Sequence, residues 1–128
     1  MAERPPLTAD DPWLQRVTGF CLALPEATRD LGADQASFRV RKKVFAYYLH
    51  DHDHDGNIAV CVKSALGENV DRAGRQADLY YLPPYIGSRG LFGMRLNTAA
   101  VIDWAMVENI VKLSYELAAP KTLSKSIW

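Results

Sequence analysis

All three histidines of the chain fall in one string, His50-Asp51-His52-Asp53-His54-Asp55-Gly56-Asn57, where imidazoles alternate with carboxylates. Those are the side chains that ligate metals. If a strand ran through the string, His50, His52 and His54 would project from one face and could hold a divalent transition metal. Read from Asp51, the string begins like a calcium loop, with aspartates at alternate positions and Gly56 sixth. The likeness then fails. Ala59 stands ninth, Val62 stands where a bidentate glutamate is needed, and the flanks read as strands where the motif requires helices. The alternative is a surface hairpin loop, because Asp-Gly and Gly-Asn form turns and alternating charge keeps a loop solvated. No resident metal is assigned, since a flexible His/Asp tract lacks the outer partners that orient ligands. The three histidines stand as adventitious ligands on a loop expected to be exposed, mobile and dispensable for folding.

A second cluster is basic: Arg39, Arg41, Lys42 and Lys43, joined by Lys63, Arg72 and Arg75. Phe38 and Val40 alternate with Arg39 and Arg41, which places both arginines on the outward face of a strand. A two-stranded ribbon so armed could track phosphates or enter a groove. Tyr47, Tyr48, Tyr80, Tyr81 and Tyr85 would add stacking surfaces for unpaired bases if exposed. The competing reading is a solvated sheet face with tyrosines in the core, and the zero net charge is unlike most nucleic-acid binders.

The third candidate is the loop Leu82-Pro83-Pro84-Tyr85-Ile86-Gly87-Ser88-Arg89-Gly90, stiffened by prolines and opened by glycines. A cleft near Tyr85 and Arg89 could take a small anionic ligand through the planar guanidinium. A stiff turn whose arginine pairs with a neighbouring acid explains the same string. The chain has no G-x-S-x-G, no H-E-x-x-H and no P-loop lysine pattern. No catalytic residue and no cofactor are assigned, and a non-enzymatic protein is expected.

These residues need elements to position them. Asp11 and Pro12 open a helix whose apolar face is Trp13, Val17, Phe20, Cys21 and Leu24, and Pro25 ends it. Residues 26–35 read as a polar connector. Five strands follow: around Phe38 to Val40, Val44 to Leu49, Ile58 to Val62, Leu79 to Leu82, and Leu91 to Leu96, with Lys42 and Lys43 turning the first hairpin. Ile58 to Val62 is apolar on both sides and is expected to be central. A short helix fits Glu68 to Arg75. A last helix, capped by Asp103 and stopped before Pro120, presents Trp104, Val107, Ile110, Val111 and Leu117 on one face. The expected fold class is α+β, an antiparallel sheet of about five strands bracketed by an N-terminal and a C-terminal helix.

A chain of 128 residues, 48% apolar and 23% charged, suits one globular domain. Residues 1–10 read as a flexible arm, 11–123 as the domain and 124–128 as a tail. Fifteen basic residues balance fifteen acidic ones, so any binding surface must be local. No apolar run approaches the ~20 residues that span a bilayer, and the N-terminus lacks the apolar core of a secretory signal. A cytoplasmic protein is expected, a monomer or weak homodimer, with Cys21 and Cys61 reduced and buried.

Four strings, in order, resemble the MmcQ/YjbR family: Cys21-Leu22-Ala23-Leu24-Pro25-Glu26-Ala27-Thr28; Ser37-Phe38-Arg39-Val40 with Lys43-Val44-Phe45-Ala46; Tyr81-Leu82-Pro83-Pro84-Tyr85-Ile86-Gly87-Ser88-Arg89-Gly90; and Asp103-Trp104 with Ser114-Tyr115-Glu116-Leu117-Ala118-Ala119-Pro120-Lys121. The resemblance implies a CyaY-like fold, similar to bacterial frataxin, and a double-wing DNA-binding role. It implies no reaction, cofactor or catalytic residue. Two functions are therefore carried forward. One is DNA binding through the Arg39 to Lys43 hairpin. The other is a small-molecule or protein-binding cleft near Tyr85 and Arg89.

Overall fold

Asp11 starts the first helix, its carboxylate accepting the Leu14 N–H at 3.0 Å while Pro12 occupies a position that needs no N–H. The computed structural model, which describes residues 6–65 and 67–128, runs this helix, α1, over Pro12–Leu22. Its buried stripe is Leu14, Val17 and Cys21. Among the described residues the chain then forms one antiparallel sheet from β1 Thr28–Leu31, β2 Gln35–Val40, β3 Lys43–His50, β4 Ile58–Lys63, β5 Tyr80–Tyr81 and β6 Leu91–Arg95. The spatial order is β1-β2-β3-β4-β6-β5. Helix α2, Glu68–Arg75, packs beside β5 and β6; α3, Trp104–Ala118, lies over β3 and β4, and α1 packs against α3, β1 and β3. A short helix α4, Lys121–Ser124, follows α3.

The α+β class holds, with six strands where five were expected. The added strand is β1, inside the segment read as a polar connector. Three of its residues are exposed and one is half-buried, so no apolar alternation marks it, and pairing with β2 creates it. Strand β4 is central as expected, with every residue but Lys63 buried. The segment expected to be a loose arm contributes Leu7, buried against the core and donating its N–H to the Ala33 carbonyl at 2.8 Å.

Two details shape the sheet. The first is a bulge. Phe38 faces Ala46 while the next residue, Arg39, faces Val44, which leaves Phe45 as an extra residue in β3. Both Phe45 and Ala46 are buried in the main core, and Phe45 meets Tyr115 of α3 edge-on at 5.3 Å. Ladder pairing of β3 with β4 stops at Ala46 and Val62. Beyond that point the buried Ser114 hydroxyl of α3 takes the place of the ladder, accepting the Lys63 N–H at 2.9 Å and donating to the Phe45 carbonyl. Tyr115 adds a second tie, its hydroxyl donating to the Pro25 carbonyl at 2.7 Å.

The second detail is Gly93, which pairs with Tyr81 across β5 and β6. A β-carbon there would sit inside the Tyr81 ring, so glycine lets the ring lie against the β6 backbone. Tyr81, Tyr47 and Ile86 cover a small second cluster, Leu49, Ala59 and Cys61, on the face of the sheet away from α1 and α3.

Removing the Ser114 hydroxyl would leave a buried N–H and a buried carbonyl unpaired, at a cost of about 1–3 kcal/mol. Ser114→Ala is expected to lower the urea midpoint accordingly with an unchanged denaturant slope, whereas Ser88→Ala, on the exposed loop, leaves the midpoint in place.

Candidate functional site

The basic residues singled out from sequence part into two groups. The paired group comes first. Arg39 reaches Asp30 at 3.2 Å, Arg75 reaches Asp71 at 3.3 Å, and Arg41 grips Glu26 with two bonds of 2.6 and 2.8 Å. That grip holds the Glu26 carboxyl below the usual carboxylate range. Arg41 does not share the outward strand face with Arg39, contrary to expectation. Val40 pairs with Lys43, so Arg41 and Lys42 form the two-residue turn, with φ of 49° and 70°. Left-handed values at both turn residues match the twist of the flanking strands, and the turn falls one residue earlier than expected.

The second group is Lys42, Lys43, Lys63 and Arg72, whose side chains have no acidic partner among the described residues. Antiparallel pairing of β3 with β4 puts Lys43, at the start of one, and Lys63, at the end of the other, at the same end of the sheet. Beside Lys63 lies a cavity of about 260 Å³ between α2 and α3. Phe92, Ile110, Leu113 and Leu117 give it apolar walls, and Lys63 and Arg72 line it as well. Leu113 and Leu117 are 42% and 50% exposed, so Leu117 belongs to this cavity and not to the core face assigned from its spacing.

The cavity is assembled by hydrogen bonds. The buried Asn69 of α2 donates to the Gly87 carbonyl at 2.8 Å and the Leu91 carbonyl at 3.1 Å, clamping the helix to the start of β6. The Ser64 hydroxyl donates to the Gly90 carbonyl at 3.1 Å. Arg72 lies over two rings, 4.7 Å from the Phe92 centroid and 5.3 Å from that of Tyr80, which meet each other edge-on. Stacking fixes the guanidinium plane and consumes none of its N–H donors. Glu68 and Glu116 also line the cavity, neither within ion-pair distance of Arg72. Spacing alone had marked Lys63 and Arg72 but missed Asn69, Leu113 and the cavity itself. The available signal was the pair Leu113 and Leu117, four apart and off the inward stripe of α3.

The other candidates lie elsewhere. Tyr85 is 90% exposed, and Arg89 is exposed in a 3-10 turn, Gly87–Arg89; Arg89 does not share the depression that Tyr85 lines. The histidines do not alternate along a strand. His50 ends β3, His52 Nδ1 lies 2.7 Å from Asp34, and His54 is exposed beyond a turn. Polar contacts tie the loop down. Asp51 accepts the Gly56 N–H at 2.7 Å, and Asn97 receives the Ile58 N–H while donating to the Gly56 carbonyl. Burial raises the Asp53 carboxyl above its ordinary value. Among the described residues no three His, Cys, Asp or Glu side chains converge as metal ligands. Of the five tyrosines considered for stacking, Tyr48 and Tyr80 are buried and unavailable.

Cys21 and Cys61 are free and buried. Burial raises both thiols, Cys61 to about 12 despite the opposing contact with the Tyr81 hydroxyl at 3.9 Å. No helix among the described residues is long and apolar enough to cross a membrane.

The fold is similar to that of the Deinococcus radiodurans protein DR2400, a DUF419 domain, with a TM-score of 0.65 and 12% identity over 85% of this chain and 83% of that one. DUF419 is the MmcQ/YjbR-type family, and at this identity the likeness bears on fold alone. Neither a family model nor a curated protein matches the sequence.

Two outcomes follow from the titrating groups. Neither thiol is expected to react with a maleimide in the native protein near neutral pH, and both react once it is unfolded, as counted by mass spectrometry. Glu26 titrates lower when folded than unfolded. Its bond to Arg41 therefore stabilises fully above the unfolded carboxylate value of about 4.3 and is lost as pH falls through the lowered folded value. Arg41→Gln is expected to flatten that acid-side loss of stability in denaturation midpoints measured from neutral to acid pH.

Proposed function

We propose that the chain is a non-enzymatic binding module whose ligand is a small molecule with an apolar body and an anionic head, seated between α2 and α3. The observation that carries this reading is Arg72. Its guanidinium is fixed on Phe92 and Tyr80, has no acceptor among the described residues, and borders an apolar cavity. A carboxylate can take two parallel bonds from such a group, and Lys63 adds a second positive charge. Leu113 and Leu117 receive the apolar body, whose burial contributes about 25 cal/mol per Å². A cavity of about 260 Å³ suits a ligand of amino-acid size, below the ordinary drug-sized range. This reading rests on Lys63 and Arg72, whereas Arg89 lines neither this cavity nor the depression beside Tyr85.

A second reading, DNA binding through the β2–β3 hairpin in the double-wing manner implied by the family resemblance, draws support from Lys42 and Lys43. Among the described residues they have no acidic partner, and they stand at the hairpin end of the sheet, the end that also carries Lys63. Arg39 and Arg41 count against it, because their charges are already met by Asp30 and Glu26.

The readings separate experimentally. With 4-methylpentanoate as the probe, the melting temperature is expected to rise, and 4-methylpentanamide should raise it far less, since a ligand of the folded state alone stabilises it. Arg72→Ala should weaken carboxylate binding by about tenfold or more, the loss of a charged hydrogen bond being worth about 1.5–3 kcal/mol. Equal stabilisation by acid and amide, or by wild type and Arg72→Ala, would sink the carboxylate reading. For nucleic acid the measurement is fluorescence anisotropy of labelled duplex and single-stranded DNA at low salt. Binding that falls steeply with salt and disappears when Lys42 and Lys43 are both serine would establish the second reading, and no binding in wild type ends it.

A further inference from the structure

The sheet face away from α1 and α3 carries a second, shallow depression of about 130 Å³, separate from the α2–α3 cavity. Leu49 and Tyr47 of β3 line it together with Ile86, Tyr85 and Pro84 from the loop after β5, and Gln35, His52 and the Asp53 carboxylate contribute polar groups. Two observations set it apart from an ordinary surface hollow.

The first is the backbone of Tyr85. The Ile86 N–H donates to the Pro84 carbonyl at 2.7 Å across Tyr85, whose φ is 66°. This is a three-residue turn of the rare, left-handed kind, strained for any residue with a β-carbon. The strain obtains no packing in return, because the side chain is 90% exposed. Its effect is to place Tyr85 at the edge of the depression, on a loop stiffened by Pro83 and Pro84.

The second is His52. Its Nδ1 lies 2.7 Å from the Asp34 carboxylate, which acts as acceptor and therefore fixes the proton on Nδ1. Nε2 is then the ring nitrogen left to meet a ligand, an acceptor whenever the ring is neutral, in a side chain that lines the depression. Gln35, on the same wall, offers a carboxamide that both donates and accepts.

We propose that this depression binds one planar six-membered heteroaromatic ring that carries an amide-like edge, as uracil does. Size and chemistry both select it. A cavity of ~150 Å³ is known to take a single benzene ring, so the volume here suits one ring, with any substituent left outside the depression. The faces of Tyr85 and Tyr47 provide stacking. The His52 Nε2 accepts a ring N–H, and the Gln35 carboxamide complements the neighbouring carbonyl. Leu49 and Ile86 keep the floor dry, which strengthens those bonds relative to water. The ring could arrive free or as an unpaired base on a strand, and the chemistry of recognition is shared.

The test uses uridine and 5,6-dihydrouridine, which carry the same donors and acceptors but differ in ring planarity. Saturation-transfer NMR on the intact chain is expected to show transfer to uridine, at least fivefold stronger than to dihydrouridine. Tyr85→Ala, at a site too exposed to disturb folding, should cut uridine affinity at least fivefold with the melting temperature unchanged. His52→Phe, which keeps a ring but removes the acceptor, should do the same. Tetrauridylate distinguishes the source. Affinity no higher than that of uridine identifies a free small molecule, higher affinity identifies a strand, and either result upholds the ring site. Absence of transfer to uridine in wild type, equal transfer to dihydrouridine, or binding that survives Tyr85→Ala overturns the proposal.

Discussion

The architecture depends on one hydroxyl. Where β3 bulges at Phe45 the sheet would open a gap lined by unpaired backbone groups, and Ser114 closes it from the helix above. A longer side chain would push α3 away, and an apolar one would leave two buried polar groups without partners. With the hydroxyl in place, β3 and β4 can diverge while α3 stays seated. Lys63, whose N–H that hydroxyl accepts, and Leu113, its neighbour on α3, both line the cavity that α2 walls off. The interaction that completes the core thus also sits at the rim of a pocket.

Charge is arranged by a similar economy of partners. The arginines nearest the sheet edge and turn are neutralised locally, Arg39 by Asp30 and Arg41 by Glu26. These pairs are exposed, so each contributes little to stability, and their effect is to remove cations from the outward field. The cations at that end of the sheet without an acidic partner among the described residues are Lys42, Lys43, Lys63 and Arg72, the last two sharing their cavity with Glu68 and Glu116. A chain with no net charge can therefore still carry a local group of unpaired cations.

How far the fold was legible depends on which residues wrote it. Asp11 with Pro12, Asp103, and the apolar run Ile58 to Val62 of β4 announced themselves, because caps and periodicity are local signals. Strand β1 was silent, since an edge strand of mostly exposed residues has nothing to alternate and exists by virtue of its neighbour. The turn at Arg41 and Lys42 was misplaced by one residue because neither is a usual left-handed residue and the pairing of Val40 with Lys43 decides it. For the site, sequence could supply the cations but not their partners. Arg39 and Arg72 look alike on paper, and only the fold puts an aspartate beside one and two aromatic rings beneath the other. Leu117 was misread for a related reason, since a helix can be apolar around more of its circumference than its core requires.

Helix α2 is the most sparsely attached wall of the cavity. Its N-terminus is Gly67, which offers no side-chain cap, and Asn69 is its one buried residue among those described. Short uncapped helices open locally at low free energy while the sheet beneath stays intact. Opening this wall of the cavity requires release of the Asn69 carboxamide from two carbonyls. Anything that filled the cavity would hold α2 in place, and would be felt first as slowed amide hydrogen exchange along that helix, before any change in global unfolding.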